Sequence, residues 1–399
     1  MAIERKFVFV VCGSREHIDT LHFSLKYLNH FSVHKICVVT DSTRNETPVR
    51  HSDVIDVKTP EHLNHHQASI YLKTSLHKFL PKGLQYCYLD TDVVALNINC
   101  DEIFEHKQGV ITFATDHCHM PQFSPSAVNC GCLEQYKKQT AELEALIIKH
   151  DPALRHKDPA IEKKKRALIR KLEEMRQHKL SYFFISLRFN LARKQFKLDD
   201  DTFFVKSKKA WYDKEGRQII EQIDTLEAAV HKNSPYRWNA EKNQWLTPEG
   251  KNVYDLSCNH LAEKISETFG VEVADKNFQH WNGGVFLFDD SCHSFLESWF
   301  QKTMKIFELP DWKTRDQGTL IATVWELGMQ NNSLLPQQFN FIADYNNADL
   351  TVDKEGNFST DAWATKLKPS FVHIYHSFGK TGWPIWDYVT LVGKREKII

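Results

Sequence analysis

The sequence predicts an α/β protein: a mostly parallel, doubly wound sheet with helices on both faces, carrying an inserted subdomain of helix and β-hairpins. Three observations predict it. Over the first 120 residues, continuous apolar runs of the kind that make strands buried on both faces alternate with stretches at helical spacing. That texture stops near Cys130 and returns after about Ala262. Between the two, residues 137–179 hold thirteen Lys/Arg against seven Asp/Glu, and turn tetrads then punctuate short tryptophan-bearing segments. The expected division is therefore 1–129, an inserted 130–261, and 262–399.

Taken in order, Phe7–Cys12 reads as the first strand, and Ile18, Leu21, Leu25 and Leu28 recur at helical spacing after it. Ile36–Val39 is a second strand ending at Thr40-Asp41. A helix is expected from about Ala68 to Leu80, closed by Pro81 and Gly83. Tyr86–Leu89 stops at Asp90-Thr91-Asp92, and Val110–Ala114 stops at Asp116. In the insertion, Ile161, Leu168, Leu172 and Met175 share one face of a basic helix. Asp213–Gly216 and Thr247–Gly250 read as hairpin turns behind Trp211 and Trp245, and Asp353–Gly356 repeats the pattern. Trp281–Phe288 is a strand entered through two glycines, a helix bearing Phe295, Trp299 and Met304 follows, another begins near Asp316-Gln317, and Phe371–His376 is a late strand. In a doubly wound sheet, ligands gather at the carboxyl ends of the strands, where these acids stand.

Composition narrows the function. With 399 residues, 42% apolar and 26% charged, the chain can build a sizeable core, and 51 Lys+Arg balanced by 51 Asp+Glu argue against nucleic acid as the partner. No apolar run approaches the ~20 residues that cross a bilayer. The first residues run straight into a strand without an apolar leader, which places the expected site of action in the cytoplasm, peripheral at the inner membrane face if the basic insertion binds anionic lipid. That insertion has three readings: a solvated face packed on the hairpins, a membrane-surface contact, or a protein or acidic-glycan contact. Nine cysteines read as reduced thiols. Cys118-His119 and Cys130-Gly-Cys132 have ligand types that suit zinc, but Cys-x-Cys is not the spacing of a common zinc knuckle, and the reading is ordinary loop cysteines.

Two constellations carry chemistry. Asp90 and Asp92, one residue apart at a strand end, reach a single divalent cation, or one holds metal and the other a sugar hydroxyl; without a cation they repel. Near the carboxyl terminus, His376 offers an imidazole for manganese or zinc, Gly379 permits close backbone approach and Lys380 can neutralise a diphosphate. His373, three residues earlier, is read as a decoy.

Together these motifs resemble those of GT-A glycosyltransferases, in particular glycosyltransferase family 8. Ser69-Ile-Tyr71-Leu-Lys73 followed by Tyr88-Leu-Asp90-Thr-Asp92 is similar to the family's S-x-Y-x-R helix and Y-L-D-x-D strand, with Lys73 for arginine. Phe113–Asp116 resembles the A-x-x-D segment. Asn282-Gly283-Gly284-Val285 resembles N-S-G-V with glycine for serine, and Asp316-Gln317-Gly318 resembles D-Q-D without its final acid. Leu335–Asn340 is similar to L-P-x-x-(Y/F/W)-N, and His376-x-x-Gly379 matches H-x-x-G, with Lys380 and Trp383 approximating K-P-W. The resemblance covers about 1–120 and 265–390 and omits the middle.

The resemblance implies a hexosyltransferase that moves a sugar from a UDP-linked nucleotide donor to a glycan or lipid-linked acceptor with retention. It implies Mn2+ or Mg2+ held by Asp90, Asp92 and His376. Donor contacts would come from Val11, Cys12, Gly13, Asp41, Lys73, Asp90, Gly379 and Lys380, and sugar contacts from Asp116, Asn282, Gly283 and Trp383. Gln317, Asp316 and Asn282 would lie near the reacting carbon. Two other readings stand beside it: a non-catalytic carbohydrate-binding or assembly protein using Trp211, Trp238 and Trp245, and a sugar-nucleotide pyrophosphorylase, whose glycine-rich basic loop Cys12–His17 does not supply. Oligomeric state is not legible.

Overall fold

Strand β1 (Glu4–Val11) alternates Phe7, Phe9 and Val11 with Val8 and Val10, all of them buried, so both faces of the strand need cover. A computed structural model, which describes residues 3–150, 159–221, 223–347, 349–360 and 363–399, supplies it. One face packs on α1 (Arg15–Phe31) and on a late helix, Pro384–Arg395. The other packs on α2 (His65–Thr74) and on His293–Ile306 and Asp316–Glu326. The chain divides into two compact units, 1–130 with 257–399, and 131–256.

In the first unit the strands after β1 are β2 (Lys35–Thr40), β3 (Val54–Asp56), β4 (Leu84–Leu89), β5 (Val93–Ala95), β6 (Ile111–His119), β7 (Gln279–Phe288), β8 (Phe341–Ile342) and β9 (Phe371–His373). The central sheet runs β3-β2-β1-β4-β7-β6, with β1 to β4 parallel and β7 antiparallel to both its neighbours. This is a mixed α/β fold with a mainly parallel centre. A second, small sheet, β8-β9-β5, has β9 antiparallel to β5 with His373 opposite Val93.

Two boundaries differ from the sequence reading. Strand β6 does not stop before Asp116 but continues to His119, because β7 still pairs with it beyond that point, Trp281 with Thr115 and Gln279 with His119. The helix expected over 68–80 begins earlier, at a capping box built by Asn64 and Gln67, and breaks at Ser75. There the Thr74 and Ser75 hydroxyls bond back to the carbonyls of Ile70 and Tyr71, and a separate turn of helix, Leu76–Phe79, follows.

The second unit holds helices Cys132–His150, Pro159–Gln177 and Lys179–Leu191, a four-stranded antiparallel sheet over residues 195–221, helix Ile223–Asn233 and a hairpin. Part of the expected basic helix, 151–158, lies outside the described residues. Its apolar face packs as expected: Leu168 and Leu172 meet Ile219 and Ile220. Lys164 pairs with Asp213 at 2.8 Å and Glu215 at 2.9 Å, and Lys171 with Asp199, so acids of the same unit balance part of the positive excess. The turns at 213–216 and 247–250 form, each closed by a glycine at positive φ. Trp238 and Trp245 pack on each other with ring centres 5.3 Å apart, tilted by 60°, in a small core with Leu143, Val230 and Val253. Among the described residues no helix is long and apolar enough to cross a membrane.

Candidate active site

The acids of Asp90-Thr91-Asp92 sit in the tight link between β4 and β5. Asp90 is held by its N–H to the Gly284 carbonyl (2.8 Å), and the Asp92 carbonyl accepts from the N–H of Ile374 just after β9 (3.0 Å). The ligand atoms of Asp90, Asp92 and His373 all lie within 4.8 Å of one another. The imidazole beside the two aspartates is thus that of His373, whose Nε2 is 3.3 Å from Asp92 Oδ1. His376, to which the sequence pointed, is exposed and turns its Nδ1 toward Asp344 at 3.9 Å. The reason is register: β9 ends at His373, opposite Val93, while residues 376–383 form a loop beyond the sheet.

A bulge explains how three distant segments meet. Asn282 pairs with Ala114 and Phe286 with Phe113, so Gly283, Gly284 and Val285 have no counterparts on β6. The bulged backbone brings Gly284 against the acids. A Cβ at Gly284 would lie 2.5 Å from His373 Cε1 and 2.8 Å from Asp90 Oδ2, whereas one at Gly283 would have no neighbour nearer than 3.4 Å.

Hydrogen bonds run from His373 to Asp116 through two amides. His373 Nδ1 donates to Asn340 Oδ1 (3.0 Å), the Asn340 amide donates to Asn282 Oδ1 (3.1 Å), and the Asn282 amide donates to Asp116 Oδ2 (2.9 Å). This chain leaves Nε2 of His373 facing Asp92, the arrangement that outer-shell partners give to metal-binding histidines. Asp116 is buried, and its Oδ1 is 2.9 Å from Nδ1 of His117. Burial would raise its pKa, but His117, His280 and Asn282 outweigh that and hold it well below the usual range.

Lys73, almost wholly buried, bridges the acids: its Nζ is 2.9 Å from Asp316 Oδ2 and 3.4 Å from Asp90 Oδ1. Burial would lower the lysine pKa; Asp316 and Asp90 reverse this and keep it charged. Burial also raises the Asp90 pKa, Lys73 pulls it down, and the charge of Asp92 pushes it up again, leaving it raised. Burial would lower the His373 pKa, but Asp92 and Asp90 raise it, so Lys73 and the His373 ring both offset part of the acid charge gathered here.

A cavity of about 510 Å³ opens beside this cluster, lined among others by Val11, Cys12, Lys73, Asp90, Asp92 and Asp316. Gly13, at φ 110°, turns the chain out of β1, and its N–H donates to Asn45. Asp41 is buried with both oxygens engaged, by Thr43 and by Thr59, so its carboxylate organises the loop after β2. Asp316 and Gln317 open their helix, and the carbonyl of Asp316 accepts from the Trp299 indole (2.9 Å). Gly379 (φ 81°) and Lys380 are exposed on the loop before Pro384–Arg395. Trp383 is buried and packs edge-on against Tyr345. The sequence reading set His373 aside as a decoy and did not name His117 or His280; Asn340, the support of the His373 ring, had its signal in the Leu335–Asn340 segment.

No family model matches the chain, and no curated protein matches it. Among solved structures the chain is similar to the apo form of the glycosyltransferase GlyE of Streptococcus pneumoniae TIGR4, at 17% identity over 29% of each chain with a TM-score of 0.21. It is similar to the apo structure of the bifunctional glycosyltransferase WbbM at 8% identity over 98% of this chain and 50% of that one, TM-score 0.41. It is also similar to apo mouse xyloside xylosyltransferase 1, at 10% identity over 86% and 88% of the two chains, TM-score 0.33. The chain thus spans less than a third of GlyE and half of WbbM.

Proposed function

We propose that this chain is a divalent-cation-dependent hexosyltransferase that takes a UDP-linked sugar and delivers it to a glycan or lipid-linked acceptor with retention. The observation that carries the reading is the convergence of Asp90, Asp92 and His373 at the sheet's ligand edge, beside a cavity large enough for a nucleotide.

The donor set fits the metal that such an activity requires. Two carboxylates and one imidazole suit Mn2+ or Mg2+, and the pKa of Asp90, raised chiefly by burial and further by the charge of Asp92, marks a carboxylate whose ionised form such an ion would favour. When bound, the ion neutralises charge on the diphosphate leaving group. The chain's own groups do the rest. Lys73, held between Asp90 and Asp316, keeps a positive charge at the cavity wall. Val11, Cys12 and Gly13 take the nucleoside, with Asp41 shaping their neighbouring loop. Gly379 and Lys380 bring a backbone and a cation toward the diphosphate from the exposed loop. Asp116, Asn282 and Gly283 hold the sugar, and their link to His373 through Asn340 ties sugar position to ligand position. Gln317 and Asp316 stand nearest the reacting carbon. Trp383 supports the 376–383 loop from the core. His376 rides on that loop, three residues from the imidazole we assign as ligand.

Hydrolysis of a panel of nucleotide sugars with and without Mn2+ tests this reading. The expected result is slow UDP-sugar turnover that chelator and Asp92→Asn both abolish. Unchanged turnover in Asp92→Asn would refute the metal assignment, and no turnover of any nucleotide sugar would favour a binding protein.

A further inference from the structure

The two chain segments at which the first unit is left and re-entered, 128–130 and 257–261, lie side by side. Asn129 is pinned by its N–H to the Asp311 carbonyl (2.8 Å), and the Cys258 N–H donates to the Pro121 carbonyl (3.0 Å). Cys130 Sγ and Cys258 Sγ are 3.8 Å apart, and the His260 ring nitrogen joins them in a cluster whose ligand atoms lie within 4.8 Å of each other. Ser124 Oγ braces the segment from beneath, 3.0 Å from Cys258 Sγ and 2.9 Å from the Leu261 N–H that donates to it.

We propose that Cys130, Cys258 and His260 hold a structural zinc ion that clasps these two segments. The separation of the sulfurs is the first reason. It is far longer than the ~2.05 Å of a disulfide, and it matches the about 3.8 Å between two thiolates bound tetrahedrally at Zn–S of about 2.3 Å. The second reason is ligand chemistry. Two thiolates and an imidazole select zinc, whereas the carboxylate-rich site at Asp90 selects a harder ion, so the two sites sort different metals. The third is sequence: Cys130 and Cys258 are 128 residues apart, so the pair is not a local knuckle but is brought together by the fold of the first unit. The zinc-type residues at 118–119 take no part in this cluster: the Cys118 thiol is 3.4 Å from Asp116, and His119 Nδ1 is 2.8 Å from the carbonyl of Asn277. The ion would hold both ends of the inserted chain to one point on the first unit, which shortens the loop the insertion must close.

Elemental analysis of the full chain purified without chelator tests this. The expected content is about one zinc per chain, falling at least about tenfold in the Cys130→Ser/Cys258→Ser double variant and unchanged in Asp92→Asn, which separates this site from the manganese site. Cobalt added to the metal-stripped protein is expected to produce thiolate-to-cobalt absorption, which the double variant lacks. Should the variant fail to fold, X-ray absorption of the wild-type zinc decides: a sulfur-containing shell is expected. Absence of zinc with no cobalt–thiolate absorption in the wild type, an all-oxygen/nitrogen shell, full zinc retention in the double variant, or a Cys130–Cys258 disulfide by mass would each overturn the proposal.

Discussion

His373 Nε2 lies 3.3 Å from Asp92 Oδ1 because β9 runs antiparallel to β5 and ends opposite Val93. The pairing makes His373 the imidazole that can share a cation with Asp90 and Asp92. His373→Ala is expected to lower manganese-dependent donor hydrolysis by about 100-fold or more, while His376→Ala stays within about threefold of wild type. Side-by-side kinetics with a manganese titration check this; the reverse order would return the ligand role to His376.

Asn340 holds the His373 ring by accepting from Nδ1. In Asn340→Leu the ring loses that partner and Asn282 loses a donor, so apparent manganese affinity is expected to fall by about 10-fold to 100-fold. Isothermal titration with Mn2+ measures it; an unchanged affinity would mean the amide chain has no part in the site.

Gly284 and its neighbour Gly283 make an internal control. Alanine at 284 would overlap His373 and Asp90, and alanine at 283 meets only ordinary contacts. Gly284→Ala is expected to cost about 1–3 kcal/mol in urea denaturation and to remove metal-dependent turnover, while Gly283→Ala folds as wild type. Equal behaviour of the two variants would contradict the bulge geometry.

Lys73 is the cation between Asp90 and Asp316. Replacing it with methionine leaves two partly or wholly enclosed carboxylates without their partner, and a loss of about 3–5 kcal/mol is expected, whereas Lys73→Arg keeps the charge and most of the stability. Chemical denaturation of both variants distinguishes a charge role from mere packing.

Asp41 sets a pH dependence. Burial would raise its pKa, but hydrogen bonds from Thr43 and Thr59 bring it down to about 2 in the folded protein. The unfolded value is near 3.9, so the folded state is favoured while the carboxylate is ionised: the contribution is full above about pH 4 and is lost as pH falls toward 2. The difference in unfolding free energy between wild type and Asp41→Asn is therefore expected to shrink by about 2 kcal/mol across that window. A constant difference would show that the hydrogen bonds are not selective for the charged form.

Much of this molecule is readable in one dimension. Phe7–Cys12, Ile36–Val39 and Tyr86–Leu89 announce themselves as strands because burial on both faces demands an unbroken apolar run, and Asp90 and Asp92 follow at the ligand edge because strands of a parallel sheet end there. The turns at 213–216 and 247–250 are equally local, since glycine at the positive-φ corner is a requirement of the backbone alone. Helix 65–74 was half legible: its hydrophobic residues show, but its break depends on two hydroxyls turning inward.

The choice of histidine could not be read from the chain, nor could the company of Cys130. Residues 373 and 376 are both imidazoles on one short stretch, and a strand's register with a partner some 280 positions away decides which of them meets Asp92. Cys130 finds Cys258 and His260 only because the chain leaves the first unit and returns beside its point of departure. Local composition determines which segments become strands, turns and acid-bearing edges, because burial and backbone geometry act over a few residues. Which distant side chains become neighbours is decided by pairing register and chain closure, and these exist only once the sheet has formed.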